Sequence, residues 1–389
     1  MSTPLIVDDL DELVKSLTSF QTRKQDLVVP VNKMLFDDDG VLRLKDIAPV
    51  IDETGVTVAD GEYKLSKQFV STAAAKLKVP ASWLGDMYVS RPDVFASVMN
   101  KLLHGTDKYS GYTSNPLIRT YTPPEDGDYG WARCFMSDKY LCIDHLDVLN
   151  NVMGGIEASG LANEARVTSS RLSESRMMVN ITVPSITVEA ERLLQGYRSP
   201  LPADHGKHYF PDKDDRPLVA AGLCITNSET GGSAASIVPY ITVIQCLNGL
   251  KLTQHKEARR IHVGSKLNTG EVKWNEDTLA ATNESIKLQT RDAIKQWLTP
   301  EFLASQVREL EDKADKPVED ATKAIENVTK KLSLTQSEAS GIMSHFIQGG
   351  QVTAGGVMQA MTSFVQNDEL NADRAMHITD NAVKAMELV

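Results

Sequence analysis

Four side chains of the types that carry acid–base or nucleophilic chemistry follow apolar, strand-like stretches of this sequence. They are Asp138, Glu229, Cys246 and His262. Two carboxylates can exchange protons with a substrate or hold a metal ion, and a cysteine with a histidine as its base can form a covalent intermediate. The four lie far apart in the chain, so a carboxylate pair, a Cys246–His262 pair and a buried, inert cysteine all remain open.

Polar residues concentrate where these strand-like stretches end. The stretch LVAAGLCITNSE places three polar side chains after a buried strand, and two glycines at 231 and 232 let backbone amides approach a ligand. We expect one surface cleft, and the residues at or beside strand ends that should meet in it are Arg133, Asp138, Asn227, Glu229, Asn248 and His262. Further residues expected to line the site are Ser137, Ser228, Gly249 and Gly264. The alternative is that the asparagines and Asp138 only cap turns through hydrogen bonds to the backbone.

Basic residues concentrate in the segment 251–266 of an otherwise acidic protein. The whole chain has a formal net charge of -11, whereas this segment has five positive residues and one negative residue, or +4. The local reversal favours an anionic partner, and an exposed, solvated face is the alternative. The expected nucleic-acid contacts are Arg133, Tyr140, Lys251, Lys256, Arg259, Arg260 and Lys266, and the aromatic residues available for stacking on bases are Tyr109, Tyr112, Tyr121, Trp131 and Tyr140.

The elements that position these residues change character along the chain. Alternating and apolar patterns predict strands at 117–122, 131–140, 166–176 and 177–183, with a helix at 143–155 between the second and third strands. The sequence therefore predicts an α+β fold with an antiparallel β-sheet core, packed helices and a helical C-terminal tail. We expect three regions: a mainly helical region with a short β-hairpin at 1–104, a mixed core at 105–270 and helices at 271–389.

Composition excludes several classes of protein. The hydrophobic fraction is 41% and the charged fraction 24%, and no apolar run is long enough to span a membrane. The four cysteines form no CxxC pair, and the first residues lack the pattern of a signal peptide, so we expect reduced thiols and a cytoplasmic location. Phosphate-binding, dinucleotide-binding and zinc-protease motifs are absent from the sequence, and we expect neither a metal nor a cofactor.

Several short strings resemble a known family. WARCFMSDKY, GLCITNSETGG, VIQCLNGL and RRIHVG occur in the order found in the phage/plasmid-like protein family, also called domain of unknown function 932. KLKVPASWLGDM resembles an upstream element of the same family, so the resemblance spans about residues 66–270. It implies a phage or mobile-element setting, hence the cytoplasm of the host cell. More remotely, the order of strands and helix resembles phage single-strand annealing recombinases, which have a basic groove and assemble as rings or filaments.

Three functions follow from these patterns. The first is a phage protein that binds single-stranded DNA and anneals strands in replication or recombination, acting as a homo-oligomer. The second is an enzyme that processes nucleic acid or nucleotides with Asp138, Glu229, Cys246 or His262 as catalytic groups. The third is a phage structural or host-interaction protein, for which an acidic surface and a helical tail would suffice.

Overall fold

The computed structural model describes residues 5–6, 10–47, 50–52, 55–57, 60–122, 128–173, 175–202, 205, 210, 216–252, 258–260, 270–271, 276–366, 370 and 372–389. The strands are β1 (Leu5–Ile6), β2 (Lys24–Val28), β3 (Met34–Phe36), β4 (Leu42–Leu44), β5 (Val50–Asp52), β6 (Gly55–Thr57), β7 (Gly61–Leu65), β8 (Pro116–Tyr121), β9 (Gly130–Ser137), β10 (Arg166–Leu172), β11 (Met177–Glu189), β12 (Leu218–Asn227), β13 (Ala235–Val243), β14 (Asn248–Lys251), β15 (Ala258–Arg260) and β16 (Gly270–Glu271). The helices are α1 (Leu10–Arg23), α2 (Lys67–Leu77), α3 (Ala81–Ser90), α4 (Pro92–His104), α5 (His145–Ala158), α6 (Glu276–Trp297), α7 (Pro300–Ala314), α8 (Ala321–Lys331), α9 (Gln336–Gly349), α10 (Ala354–Phe364) and α11 (Ala372–Ala385).

The central sheet is antiparallel and has the strand order β1-β10-β11-β12-β13-β14, with β15 beside the other half of β13. Its middle strands are buried on both faces. Leu223 and Ile225 belong to the large core on one face, while Cys224 and Tyr240 on the other face pack with Met376 of α11. Burial on both faces explains why β12 and β13 read as nearly continuous apolar runs.

The N-terminal sheet has the order β16-β2-β8-β9-β7-β4-β3. Only β7 and β9 are parallel among its described pairings. The chain between them, which includes α2, α3 and α4, supplies the crossover that a parallel pair requires. Phe69 of α2 meets Phe135 of β9 edge to face, with ring centroids 6.0 Å apart, and so fixes this helical layer on one face of the sheet.

Each of the two large sheets has its own hydrophobic core. One cluster includes Phe69, Phe95 and Phe135 under the N-terminal sheet, and a larger one joins the central sheet to α1, α5 and the helical tail. Strands β8 and β9 pair with β2 and β7. The region 105–270, expected to form one mixed core, therefore contributes strands to both sheets, because a strand pattern does not reveal which sheet the strand will join.

Helices α6 to α11 form the tail, and their ends follow local sequence signals. The Thr299 side chain accepts a hydrogen bond from the Phe302 amide at the start of α7, with Pro300 in the first turn. Thr335 and Glu338 form a capping box at the start of α9. The predicted α+β class, with a mainly antiparallel β-sheet core, packed helices and a helical C-terminal tail, is confirmed.

None of the helices within the described residues is long and apolar enough to cross a membrane.

Candidate functional site

Charged residues fill the place where the N-terminal sheet meets the loops of the central sheet. Residues alternate between the two faces of a strand, so Leu27 and Ile118 enter the N-terminal core while Asp26 and Arg119 point the other way. Asp26 on β2 and Arg119 on β8 are direct cross-strand partners. We call this region the charged junction; its members are Lys24, Asp26, Arg119, Arg133, Asp144, His145, Asn227 and Glu229.

Arg119 is the centre of the charged junction and has no solvent exposure. Its Nε donates to Asp26 Oδ1 at 2.7 Å, its Nη1 to the carbonyl oxygen of Glu229 at 2.9 Å and its Nη2 to Asp144 Oδ1 at 2.5 Å. Lys24 is the second cation bound to Asp144. Burial disfavours a charged carboxylate, but Arg119 and Lys24 hold the pKa of Asp144 well below its usual range.

Glu229 is the second fixed carboxylate of the charged junction. Its Oε2 accepts from Arg133 Nη2 at 2.7 Å, and its Oε1 accepts from the backbone amide of His145 at 2.7 Å. Burial alone would raise the pKa of Glu229, but the charges of His145, when protonated, and Arg133 lower it to about 2. The guanidinium of Arg133 also lies 4.3 Å from the ring centre of Tyr121.

His145 begins α5 and is buried beside Asn227. Asn227 Nδ2 donates to the carbonyl oxygen of Ile143 at 3.0 Å and lies 3.1 Å from His145 Nδ1. Since the amide nitrogen is a donor, we assign Nδ1 as the acceptor and place the ring proton on Nε2. Burial lowers the pKa of His145 to about 4, although the charge of Glu229 acts in the opposite direction. The imidazole is therefore neutral at pH 7.

The turn after β9 closes the charged junction. Tyr140 Oη donates to the carbonyl oxygen of Ser228 at 3.1 Å, and Ser228 Oγ donates to the carbonyl oxygen of Ser175 at 2.6 Å. Ser137 ends β9 half-buried, and the next residue, Asp138, is 7% exposed. Tyr140, expected to stack on bases, is instead 6% exposed and holds two loops together.

The residues expected to share one surface cleft lie in separate parts of the protein. Arg133, Asn227 and Glu229 meet, but inside the protein. Asn248 pairs with Val243 at the opposite end of β13, where its Nδ2 donates to Tyr197 Oη at 3.0 Å and to Gln359 Oε1 at 3.1 Å. The prediction of one surface cleft is therefore wrong, because Asn227 and Asn248 lie towards opposite ends of β13 in the central sheet and do not converge.

Gly249 and Cys246 are also set apart from the charged junction. Gly249 lies against the ring of Tyr240, where a Cβ atom would come within 1.2 Å of Tyr240 Oη. Cys246 is fully buried in the large core near Tyr197. His262 and Gly264 lie outside the described residues, so the suggested Cys246–His262 pair stays a prediction.

The basic residues predicted to contact phosphates also differ in their positions and environments. Arg133 is buried against Glu229, and the side chain of Lys251 is 6% exposed, with its Nζ 2.9 Å from Asp380 Oδ1. Both are corrected, because a buried and neutralised cation does not face a nucleic acid. Arg259 and Arg260 belong to β15 at the edge of the central sheet. Lys256 and Lys266 lie outside the described residues.

The charged junction has the residue types of an active site, but few of its polar groups are left to bind or protonate a substrate. Glu229 is ion-paired, so its low pKa leaves it without a proton to donate at neutral pH. In the part of the chain that the structure describes, no group of three or more His, Cys, Asp or Glu residues could hold a metal ion. Arg133 Nη1 and Asn227 Oδ1 are the junction atoms that are buried without a hydrogen-bond partner among the described residues. The arrangement binds two sheets together more readily than it binds a substrate.

Sequence reasoning missed five members of the charged junction. They are Lys24, Asp26, Arg119, Asp144 and His145. The available signal was a charge inside an apolar strand, as in KQDLV for β2 and PLIRTY for β8. A charged side chain on a buried strand needs a partner that neutralises it. That partner is distant in the sequence, so no local pattern identifies it.

Comparison of the chain with protein-family models, curated proteins and solved structures finds no match.

Proposed function

We propose that this chain is a phage or mobile-element protein that binds single-stranded DNA along one edge of the central sheet. The observation that carries the proposal is a strand with two consecutive arginines at a sheet edge of an acidic protein. Strand β15 pairs with Ala235–Ile237 of β13, and β14 pairs with residues 240–243 of the same strand. Both β14 and β15 therefore lie beside β13 on the side opposite β12.

Charge supports an anionic partner at this edge. Once Lys251 is assigned to Asp380, the segment 252–266 has four positive residues, Lys256, Arg259, Arg260 and Lys266, and one negative residue, Glu257. The segment therefore has a net charge of +3 (four minus one), in a chain of net charge -11. Local potential governs binding at a site, while the overall negative charge opposes non-specific binding along a stiff duplex. A flexible single strand is the form that follows a narrow basic edge.

Base stacking contributes less than the sequence indicated. Tyr121 stacks on Phe20, with ring centres 5.6 Å apart, and the guanidinium of Arg133 lies over its ring, so the ring is already engaged within the protein. Tyr140 is buried. Binding should accordingly rest on phosphate contacts and have little sequence preference. Annealing would follow if several copies of the chain align their basic edges, which is why a homo-oligomer belongs to the proposal.

The test is a salt titration of binding, measured by fluorescence anisotropy with a labelled single strand. Four phosphate contacts predict a log–log slope of about -2.8, because each contributes about -0.7 on single strands. The double variant Arg259→Ala/Arg260→Ala should reduce the slope to about -1.4. The control, Lys323→Ala/Lys331→Ala on α8, removes the same charge from exposed positions and should leave the slope unchanged.

Two results would contradict the proposal. Equal slopes for the arginine variant and the wild-type protein would place binding elsewhere, and absence of binding at low salt would remove the DNA-binding function altogether. Loss of full-length labelled strand in the presence of magnesium would favour the nucleic-acid-processing alternative.

A further inference from the structure

An open groove runs between α8 and α9 in the helical tail. Its volume is about 700 Å³. Ile325, Ala339, Leu334 and Met343 provide its apolar lining, and Glu326 and Lys330 stand on the α8 side. Ile325 is 3% exposed and Ala339 8% exposed, so the base of the groove is continuous with the large core. The groove therefore brings the large core to the surface of the helical tail.

The apolar lining continues along the surface of α9. Met343 is followed one turn later by Ile347, which is 69% exposed. Residues four apart lie on the same face of a helix, so Ile347 extends the stripe of Met343 beyond the groove. A large exposed aliphatic residue next to an apolar groove is typical of a surface that packs against another protein.

The charged residues beside the groove indicate which kind of protein would fit against it. Glu326 and Lys330 are exposed and four residues apart on α8, and within the described residues neither has an ion-pair partner within 4.0 Å. A two-fold axis that crosses α8 near residue 328 makes two copies of the helix antiparallel. Each Glu326 then faces Lys330 of the other copy, and both contacts are satisfied by the same operation. A second copy of this chain therefore has the required pattern of charge.

We infer that the groove between α8 and α9 is a symmetric interface at which two copies of this chain form a dimer. The two α8 helices pack antiparallel, and the apolar surfaces of α9, including Met343 and Ile347, cover each other's grooves in a four-helix arrangement. The interface is independent of the basic edge at β15, so it stands or falls separately from the DNA-binding proposal.

Sedimentation of the full chain over a range of concentrations tests the dimer by a charge swap. The wild-type protein should dimerise. Glu326→Lys and Lys330→Glu should each weaken the dimer roughly thirtyfold, because two attractive contacts become two repulsive ones. An equimolar mixture of the two variants should dimerise like the wild-type protein, since the opposite charges face each other again at both contacts.

Two further variants distinguish this interface from a general effect of charge. Lys331→Glu makes the same change at the neighbouring exposed position outside the groove and should leave dimerisation unchanged. Ile347→Asp should weaken the dimer by at least as much as either charge swap. A monomeric wild-type protein, a dimer insensitive to the swaps, or single variants whose mixture stays monomeric would each overturn the inference.

Discussion

The buried imidazole of His145 should make the stability of this protein fall between pH 7 and pH 5. His145 is 3% exposed, and burial lowers its pKa from the ordinary 6.5 to about 4 in the folded protein. Its position at the first residue of α5 disfavours a positive charge further, since the helix dipole is positive there. The unfolded chain therefore takes up a proton below pH 6.5 that the folded chain takes up only near pH 4. The resulting stability is fully present above pH 6.5, is lost progressively as the pH falls from 6.5 towards 4, and is gone below the folded pKa.

The size of this effect follows from the shift. A difference of 2.5 pKa units corresponds to about 3 kcal/mol of unfolding free energy over the whole window. About 2 kcal/mol of it should disappear between pH 7 and pH 5, where the folded imidazole is still neutral and the unfolded one is mostly protonated. Glu229 has a folded pKa of about 2, so it remains ionised in the folded protein throughout this interval.

The variant His145→Asn tests the reasoning because its side-chain oxygen can still accept from Asn227 Nδ2 while no group titrates. Urea unfolding at both pH values gives two free energies for each protein. The variant should be less stable than the wild-type protein at pH 7 by about 1 to 2 kcal/mol, from lost packing, and this deficit should shrink by about 2 kcal/mol at pH 5. His104→Asn, at an exposed histidine, is the control. A deficit that stays the same at both pH values would refute the assigned origin of the pH dependence.

Two further substitutions test the packing around the candidate residues. Arg119→Met should lower the unfolding free energy at pH 7 by about 3 to 5 kcal/mol, because it removes a cation from the buried carboxylates of Asp26 and Asp144. A loss below about 1 kcal/mol, measured by urea unfolding, would show that this ion-pair network adds little stability. Gly249→Ala should cost about 1 to 3 kcal/mol in the same assay, because its new Cβ would lie 1.2 Å from Tyr240 Oη. Gly85→Ala, where nothing lies within 4 Å of the new atom, serves as its control and should cost nothing.

The sequence predicted local structure well and long-range assembly poorly. The strand expected at 117–122 is β8 at Pro116–Tyr121, and the helix expected at 143–155 is α5 at His145–Ala158. Such elements follow from periodicity and end signals, which are local. That β8 pairs with β2 and not with a strand of the central sheet depends on contacts between residues about ninety positions apart. No pattern within either segment contains that information.

The candidate site illustrates the same limit for side chains. The sequence singled out Arg133, Asn227 and Glu229, and the structure brings these three together around His145. It predicted a surface cleft because polar residues at strand ends are typical of ligand sites. The same residue types are needed to bury a contact between two sheets, and only the three-dimensional partners distinguish the two cases.

Hydrogen-bond capacity is the physical criterion that separates a substrate site from a buried contact. Both carboxylate oxygens of Glu229 accept a hydrogen bond, and all three side-chain nitrogens of Arg119 donate one. A substrate would have to displace one of these buried bonds, and breaking a buried ion pair costs about 3 to 5 kcal/mol before any new contact forms. The charged junction therefore holds the two sheets together more readily than it binds a substrate, which is why the proposed anion-binding surface is sought outside it, at β15.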